Sequence, residues 1–259
     1  MYPERIVCLA AEIPEILHRL GGIDRIVGIS AYTTRPTEAL NIEKVSGFRH
    51  GSVERIVRQH PDVVILTSGV QQELAKELAA RGVTTVHFNP HRLKDMFATV
   101  LLLGNLIGES QKAMEYVAEL RGRIEVIQRQ AKKLAIRPRV YFEEWMDPII
   151  VGTGWVSDLI ELAGGIDVFR EKSTSGRRVS ERVVKSDEIV AVQPDIVLAS
   201  WCGKSFDRDN FVLRPGYEDI PAVRNKRVFG IGSEVLQCGP MLIDSLAEIH
   251  DMVLKFASA

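Results

Sequence analysis

The segment Leu20-Gly21-Gly22-Ile23-Asp24 recurs as Ala163-Gly164-Gly165-Ile166-Asp167, each copy following an amphipathic helical pattern. A second pair keeps the same order. Ser52-Val53-Glu54-Arg55-Ile56, running on to Pro61-Asp62-Val63-Val64-Ile65, returns as Ser186-Asp187-Glu188-Ile189, running on to Pro194-Asp195-Ile196-Val197-Leu198. Gly-Gly is a helix stop signal. Ser at an N-cap with Glu in the first turn satisfies backbone N–H groups and suits the helix dipole, and Pro-Asp ends the helix and turns into a buried strand. Two motifs repeated once, in order, predict two homologous lobes rather than a solenoid, which needs more repeats of shorter period.

Short apolar runs alternate with helical patterns throughout, which predicts an α/β fold with mostly parallel strands. Ile6 to Leu9, Ile26 to Ile29, Val63 to Leu66 and Val83 to Phe88 read as strands of the first lobe, with helices over Ile13 to Leu20 and Glu73 to Ala80. Val140 to Phe142, Ile196 to Ala199 and Val228 to Ile231 read as strands of the second. Between them, Ala113, Val117, Leu120, Ile124, Ile127, Ala131 and Leu134 form the apolar stripe of one helix from about Glu109 to Ala135. At 1.5 Å per residue it would reach roughly 40 Å. The expected organisation is an N-terminal lobe over 1–105, a connecting helix over 106–137 and a C-terminal lobe over 138–259. Each lobe holds a short, mainly parallel sheet flanked by helices. A coiled-coil seam is the other reading of the stripe; a strut in a monomer is the expected one.

With 33 Lys plus Arg against 34 Asp plus Glu, the formal net charge of −1 offers no electrostatic case for nucleic acid or an anionic membrane. Recognition must come from a local site. Cys8, Cys202 and Cys238 form neither a disulfide framework nor a CxxC pair. No apolar run approaches the roughly 18–20 residues that span a bilayer. The residues from Met1 into Arg5-Ile6-Val7-Cys8-Leu9 show no leader pattern. The expectation is a cytoplasmic protein if Met1 is the native start, and a periplasmic or membrane-tethered extracytoplasmic one if a leader has been trimmed.

The chain resembles the helical-backbone class of substrate-binding proteins of ABC importers, which carry cobalamin, ferric siderophores and haem. The resemblance rests on Arg5-Ile6-Val7-Cys8-Leu9, Glu15 to Leu20 with Gly-Gly-Ile-Asp, Val27 to Tyr32, Pro36, Val45-Ser46-Gly47 and the two Ser-x-Glu…Pro-Asp units. It is similar to the cobalamin binders in particular through Ser30-Ala31-Tyr32 with Pro36, and through Gly47-Phe48 before Ser52. The resemblance implies a non-enzymatic receptor that binds cobalamin or another corrinoid between two lobes and delivers it to membrane permease subunits. Ferric siderophore or haem binding by the same fold is the first alternative. A cytosolic corrinoid-handling protein or a metal-ion receptor is the second. The resemblance also implies docking to the permease through Glu54 and Glu188.

Ligands of open α/β sheets gather at the carboxyl ends of strands, which singles out the residues just after them. Trp201 after Ile196 to Ser200, and Trp145 in the segment Glu143 to Trp145 after Val140 to Phe142, are expected to lie against a planar ligand, as is Trp155 after Gly152-Thr153-Gly154. Tyr32 and Phe48 join them through the resemblance. Arg49 and His50, with Arg214, are compatible with an anionic side group. Cys202 reads as a soft donor to a corrinoid cobalt, against a default of inert burial. A nucleophilic role fails because only His250 lies in the second half beyond the connecting helix. His50 with Glu143, Glu144 and Asp147 could hold a hard metal, against a default of solvated loop residues. No catalytic residue, resident metal or cofactor is assigned, and no nucleic acid partner.

Overall fold

The computed structural model describes residues 2–47 and 52–258. They fall into two compact units, Met1–Pro90 with Asp95–Leu120, and His91–Lys94 with Arg121–Ala259. Among the described residues no helix is long and apolar enough to cross a membrane.

The first unit holds β1 (Ile6–Cys8), α1 (Ile13–Arg19), β2 (Ile26–Ser30), β3 (Lys44–Ser46), α2 (Val53–Arg58), β4 (Val63–Thr67), α3 (Gln72–Ala80) and β5 (Thr85–Phe88). Its sheet runs β3-β2-β1-β4-β5, every pairing parallel. Strands covered by helices on both faces read as continuous apolar runs, which is why they are legible. Its core is aliphatic: Val7, Leu9, Val45, Ile56, Val64, Leu66 and Leu78 pack together. Strand β3 is a three-residue edge strand with an exposed lysine, too short to carry a sequence signal.

Two helices follow, α4 (Leu93–Ile107) and α5 (Ser110–Ala131). Left-handed Gly108 turns one into the other, and a Cβ on Gly104 would collide with that of Ala113 at 2.3 Å, so their backbones cross where only glycine fits. The expected stripe is buried at Ala113, Val117, Leu120, Ile124 and Ala131. The helix ends four residues short of the expected Ala135, in turns closed by Lys133 N–H to the Gln130 carbonyl and Leu134 N–H to that of Ala131. At 22 residues it is about 33 Å long.

The second unit holds β6 (Arg139–Met146), β7 (Ile149–Val151), α6 (Gly154–Leu162), β8 (Ile166–Asp167), α7 (Arg170–Ser175), α8 (Ser186–Ala191), β9 (Ile196–Ala199), α9 (Arg208–Val212), α10 (Pro221–Arg224), β10 (Val228–Gly230) and α11 (Leu242–Ala257). Its sheet runs β10-β9-β6-β7, with β8 on the same edge of β6 as β7. All pairings are parallel except β6 with β7. That hairpin corrects one expectation. The strand predicted over Val140 to Phe142 continues to Met146, because Glu143, Trp145 and Met146 pair with Val151, Ile150 and Ile149. Glu143 and Trp145 therefore lie within a strand, not after one. This core is aromatic: Tyr141 stacks on Phe211 with 6.5 Å between ring centres and meets Phe169 edge-on at 5.7 Å, and Phe211 meets Tyr217 edge-on at 5.0 Å.

The repeat holds at the level of single hydrogen bonds. Gly21 and Gly164 both take left-handed backbone, and the next N–H in each case, of Gly22 and Gly165, reaches back to the carbonyls of Leu17 and Ile160. Asp62 accepts from the backbone N–H of Glu4 and Arg5, as Asp195 does from that of Arg139. The Arg5 guanidinium donates to the Gln59 carbonyl, and that of Arg139 to the Val192 carbonyl, the terminal carbonyls of α2 and α8. His60 and Gln193, each preceding the Pro-Asp pair, both have positive φ.

The caps differ. Ser52 caps α2 by accepting from Arg55 N–H at 3.2 Å, as expected. Ser186 stands one residue inside α8, and it is the Glu188 carboxylate that satisfies the N–H of the cap residue Lys185 at 2.8 Å.

Candidate functional site

In each unit the chain leaves its central strand to one side and returns on the other, so β1/β4 and β6/β9 are the topological switch points where an open sheet leaves a crevice. The matching registers, Cys8 opposite Ile65 and Phe142 opposite Leu198, make Leu9 and Glu143 the equivalent residues at these crevices.

In the second unit the crevice is built around Glu143, whose side chain is 0% exposed. Its Oε1 accepts from the Trp201 indole at 3.0 Å and Arg214 Nη2 at 2.8 Å. Its Oε2 accepts from Arg214 Nη1 at 2.6 Å and the Tyr141 hydroxyl at 2.9 Å. A buried carboxylate is stable only when paired and hydrogen-bonded this fully. The guanidinium lies over the rings of Phe211 and Tyr217, at 4.9 and 5.5 Å, with 17% of the side chain exposed. Burial alone would lower the pKa of Arg214, but the hydrogen bond and charge of Glu143 raise it on balance. Burial, then the Glu143 charge, holds the Tyr141 hydroxyl well above its ordinary value. Beside this hub, Arg182 forms a buried bidentate pair with Glu144 and donates to the Val151 carbonyl.

In the first unit the crevice is held by an uncharged amide. Gln71 is buried and bridges the strands, accepting from Thr67 N–H at 2.9 Å and donating to the Leu9 carbonyl at 3.1 Å. The direct ladder bond of the second unit, Ser200 N–H to the Glu143 carbonyl, is thus replaced by a side chain. Glu12 lies in the same place, 5% exposed, and burial raises its carboxyl above the usual range. Burial and then the Glu12 charge push the Cys8 thiol far up. Ser68, directly after β4, has φ 56° and ψ 165°, strained for a residue with a Cβ.

The candidate residues read from sequence divide accordingly. Tyr32 follows β2 and is 47% exposed. Trp145 is partly exposed at the end of β6, its indole N–H donating to the Asp147 carbonyl. Trp155 sits in the first turn of α6, half-buried, and donates to the Val235 carbonyl. Trp201 departs from the expected open ring face. It is 3% exposed, closed in by Phe206 edge-on at 5.1 Å and Lys204 at 5.6 Å, and its polar edge is taken up by Glu143. Cys202 is exposed rather than buried, because it occupies the turn that follows β9, and no disulfide joins it to Cys8 or Cys238. Arg214 and Glu143, expected as an anion contact and a metal donor, are engaged with each other. Phe48, Arg49 and His50 lie outside the described residues. Among the described residues no group of three or more His, Cys, Asp and Glu could hold a metal ion. Glu54 is exposed and pairs with Arg81 at 3.2 Å. Glu188 is engaged in its cap.

Sequence reasoning passed over Gln71, Glu12 and Ser68. The polar pair Thr67-Ser68, closing an apolar run as Ser200 does, was the available signal.

A family model described as periplasmic binding protein matches residues 6–235. The chain belongs to this family. It is 25% identical over 258 residues to the uncharacterized ABC transporter substrate-binding lipoprotein YvrC of Bacillus subtilis, covering 97% of this chain and 80% of that protein. It is 23% identical over 250 residues to the vitamin B12-binding protein of Vibrio parahaemolyticus, covering 95% and 88%. Among solved structures, the periplasmic haem-binding protein RhuT from Roseiflexus sp. RS-1 aligns with a TM-score of 0.82 at 25% identity, over 98% of this chain and 99% of that one. The vitamin B12-binding protein BtuF of Vibrio cholerae aligns at 0.77 and 21%, over 99% and 98%, a likeness of fold. The protein is thus an ABC-type substrate-binding protein with two α/β units.

Proposed function

We propose that this periplasmic binding protein captures a large, mostly planar metallo-organic ligand, a corrinoid first, and delivers it to the permease of an importer. The observation that carries the reading is near full-length similarity to an ABC transporter substrate-binding lipoprotein and to vitamin B12-binding proteins. The role asks for exposed ring faces on rigid supports, and Tyr32 and Trp145 at strand ends supply them. The work is capture and transport, not catalysis. An extracytoplasmic location follows from the lipoprotein relative. Glu54 and Glu188 act as acidic docking points for the permease, the first presented openly and the second through a capped helix end.

A second reading, haem, is favoured by the likeness to RhuT at 25% identity. Titration with cyanocobalamin, dicyanocobinamide, haemin and ferric siderophores, followed by visible absorbance and tryptophan quenching, separates the readings. A saturable response to either corrinoid is expected. Saturation by haemin or a siderophore alone would replace the corrinoid, and no saturable response to any would remove the proposal.

A further inference from the structure

We infer that Glu143 is a positioning residue that sets the charge preference of the second unit's ligand surface, so that it selects a ligand without carboxylates on its rim. The inference rests on the receptor reading above and adds the chemical class of the ligand's periphery.

The two guanidiniums at this crevice point their charge at carboxylates of the same unit. Arg214 is held in a bidentate pair by Glu143, a carboxylate with no exposed surface and four donors around it. Arg182 is held the same way by Glu144. Lys204 lies over the Trp201 ring and meets Met146 Sδ at 3.8 Å. Both guanidiniums, of Arg214 and Arg182, are therefore matched by carboxylates of the same unit. An anionic ligand arriving at this surface would gain little from Arg214 and would face the buried charge of Glu143 behind it. A neutral ligand with an amide rim does not meet that opposition. Specificity is a difference of affinities, and an element that withholds attraction from the wrong ligand contributes to it as much as a new contact does. The unit thus suits a corrinoid, whose rim carries carboxamides, over a haem, which carries two propionates. In the first unit Leu9 occupies the equivalent place, and among the described residues the buried carboxylate there is Glu12.

The test compares the wild type with Glu143→Gln, using dicyanocobinamide as the neutral probe and haemin as the dianionic-rim probe, at 50 and 500 mM NaCl. The wild type is expected to bind dicyanocobinamide about tenfold more tightly than haemin, with little dependence on salt. In Glu143→Gln the ratio is expected to move about tenfold toward haemin, and the gain to fade at 500 mM NaCl because it comes from an uncompensated guanidinium. The double variant Glu143→Gln/Arg214→Gln, neutral again, should return toward the wild-type ratio. A merely structural Glu143 would weaken both probes alike and leave the ratio unchanged, which overturns the inference. Should the variants not fold, the wild type decides alone. Tighter binding of haemin than dicyanocobinamide, weakened by salt, overturns the inference and leaves the receptor reading standing; binding of neither probe overturns both.

Discussion

Leu9 and Glu143 occupy equivalent positions in two units that otherwise share their punctuation to the hydrogen bond. Both units clamp a helix end with an arginine at the start of the central strand or just before it, turn with a left-handed glycine and seat a Pro-Asp aspartate under a strand start. The first unit then closes its switch point with aliphatic packing, one bridging glutamine and, off the strand, the buried Glu12. The second places a buried carboxylate there and surrounds it with Tyr141, Trp201 and Arg214. The comparison teaches that the repeated elements are scaffold, and that chemical individuality enters at the one position where the scaffold opens. A buried ion pair is weak evidence for stability, so its presence here points to specificity.

The largest effect that would break this comparison comes from giving the second unit the first unit's residue. Glu143→Leu leaves four buried or part-buried donors, on three residues, without their acceptor and is expected to cost about 3–5 kcal/mol. The combined variant Tyr141→Phe/Glu143→Leu/Arg214→Met should recover much of that loss, since it leaves only the Trp201 indole without its acceptor. All three tryptophans, Trp145, Trp155 and Trp201, lie in the second unit, so the midpoint of urea unfolding followed by tryptophan fluorescence reads this effect selectively. A triple variant as unstable as the single one would mean that the hub is not a self-contained exchange for the aliphatic packing of the first unit.

Next in size are the paired glycines. Both have positive φ, but a Cβ on Gly164 would lie 2.8 Å from Leu134 Cδ1, and one on Gly21 would meet only the flexible end of Lys112 at 3.2 Å. Gly164→Ala should therefore cost about 2–3 kcal/mol and Gly21→Ala about 1 kcal/mol, read from thermal unfolding. Equal losses would show that backbone strain alone governs both turns.

The two acidic repeats sharpen the comparison further. Glu188→Ala removes the acceptor for Lys185 N–H and should cost about 0.5–1 kcal/mol. Glu54→Ala, beside an intact Ser52 cap, should leave the unfolding midpoint unchanged. Both variants should nevertheless impair uptake in a reconstituted importer if the pair docks on the permease.

The smallest effect lies in acid. The backbone N–H of Glu4, then that of Arg5, hold the Asp62 carboxyl below its ordinary value. A carboxyl depressed on folding stabilises fully above its unfolded pKa of about 4, and that stabilisation is lost as pH falls through the lower folded value. The difference in stability between wild type and Asp62→Ala should accordingly be present at pH 7 and shrink below about pH 4, as followed by circular dichroism.

The sequence carried the scaffold clearly, because doubly covered parallel strands are apolar along their length and several helices here stop at glycine or just before proline. Val63 to Leu66 and Ile196 to Ala199 were visible for that reason. The β6–β7 hairpin was not, since Glu143 and Glu144 break the apolar pattern that marks a strand, and their pairing with Arg214 and Arg182 depends on contacts 71 and 38 residues away. Trp201 was legible as special by its place after a buried strand. Its burial was not, because the Glu143 carboxylate that takes up its indole lies 58 residues away. Tyr32, marked by resemblance, stands exposed where a ligand can reach it.

The receptor reading is tested most directly by native mass spectrometry of the protein mixed with equimolar dicyanocobinamide, cyanocobalamin and haemin in competition. A single adduct of one corrinoid per chain is the predicted result; an unliganded chain after mixing, or occupancy by haemin alone, would contradict it.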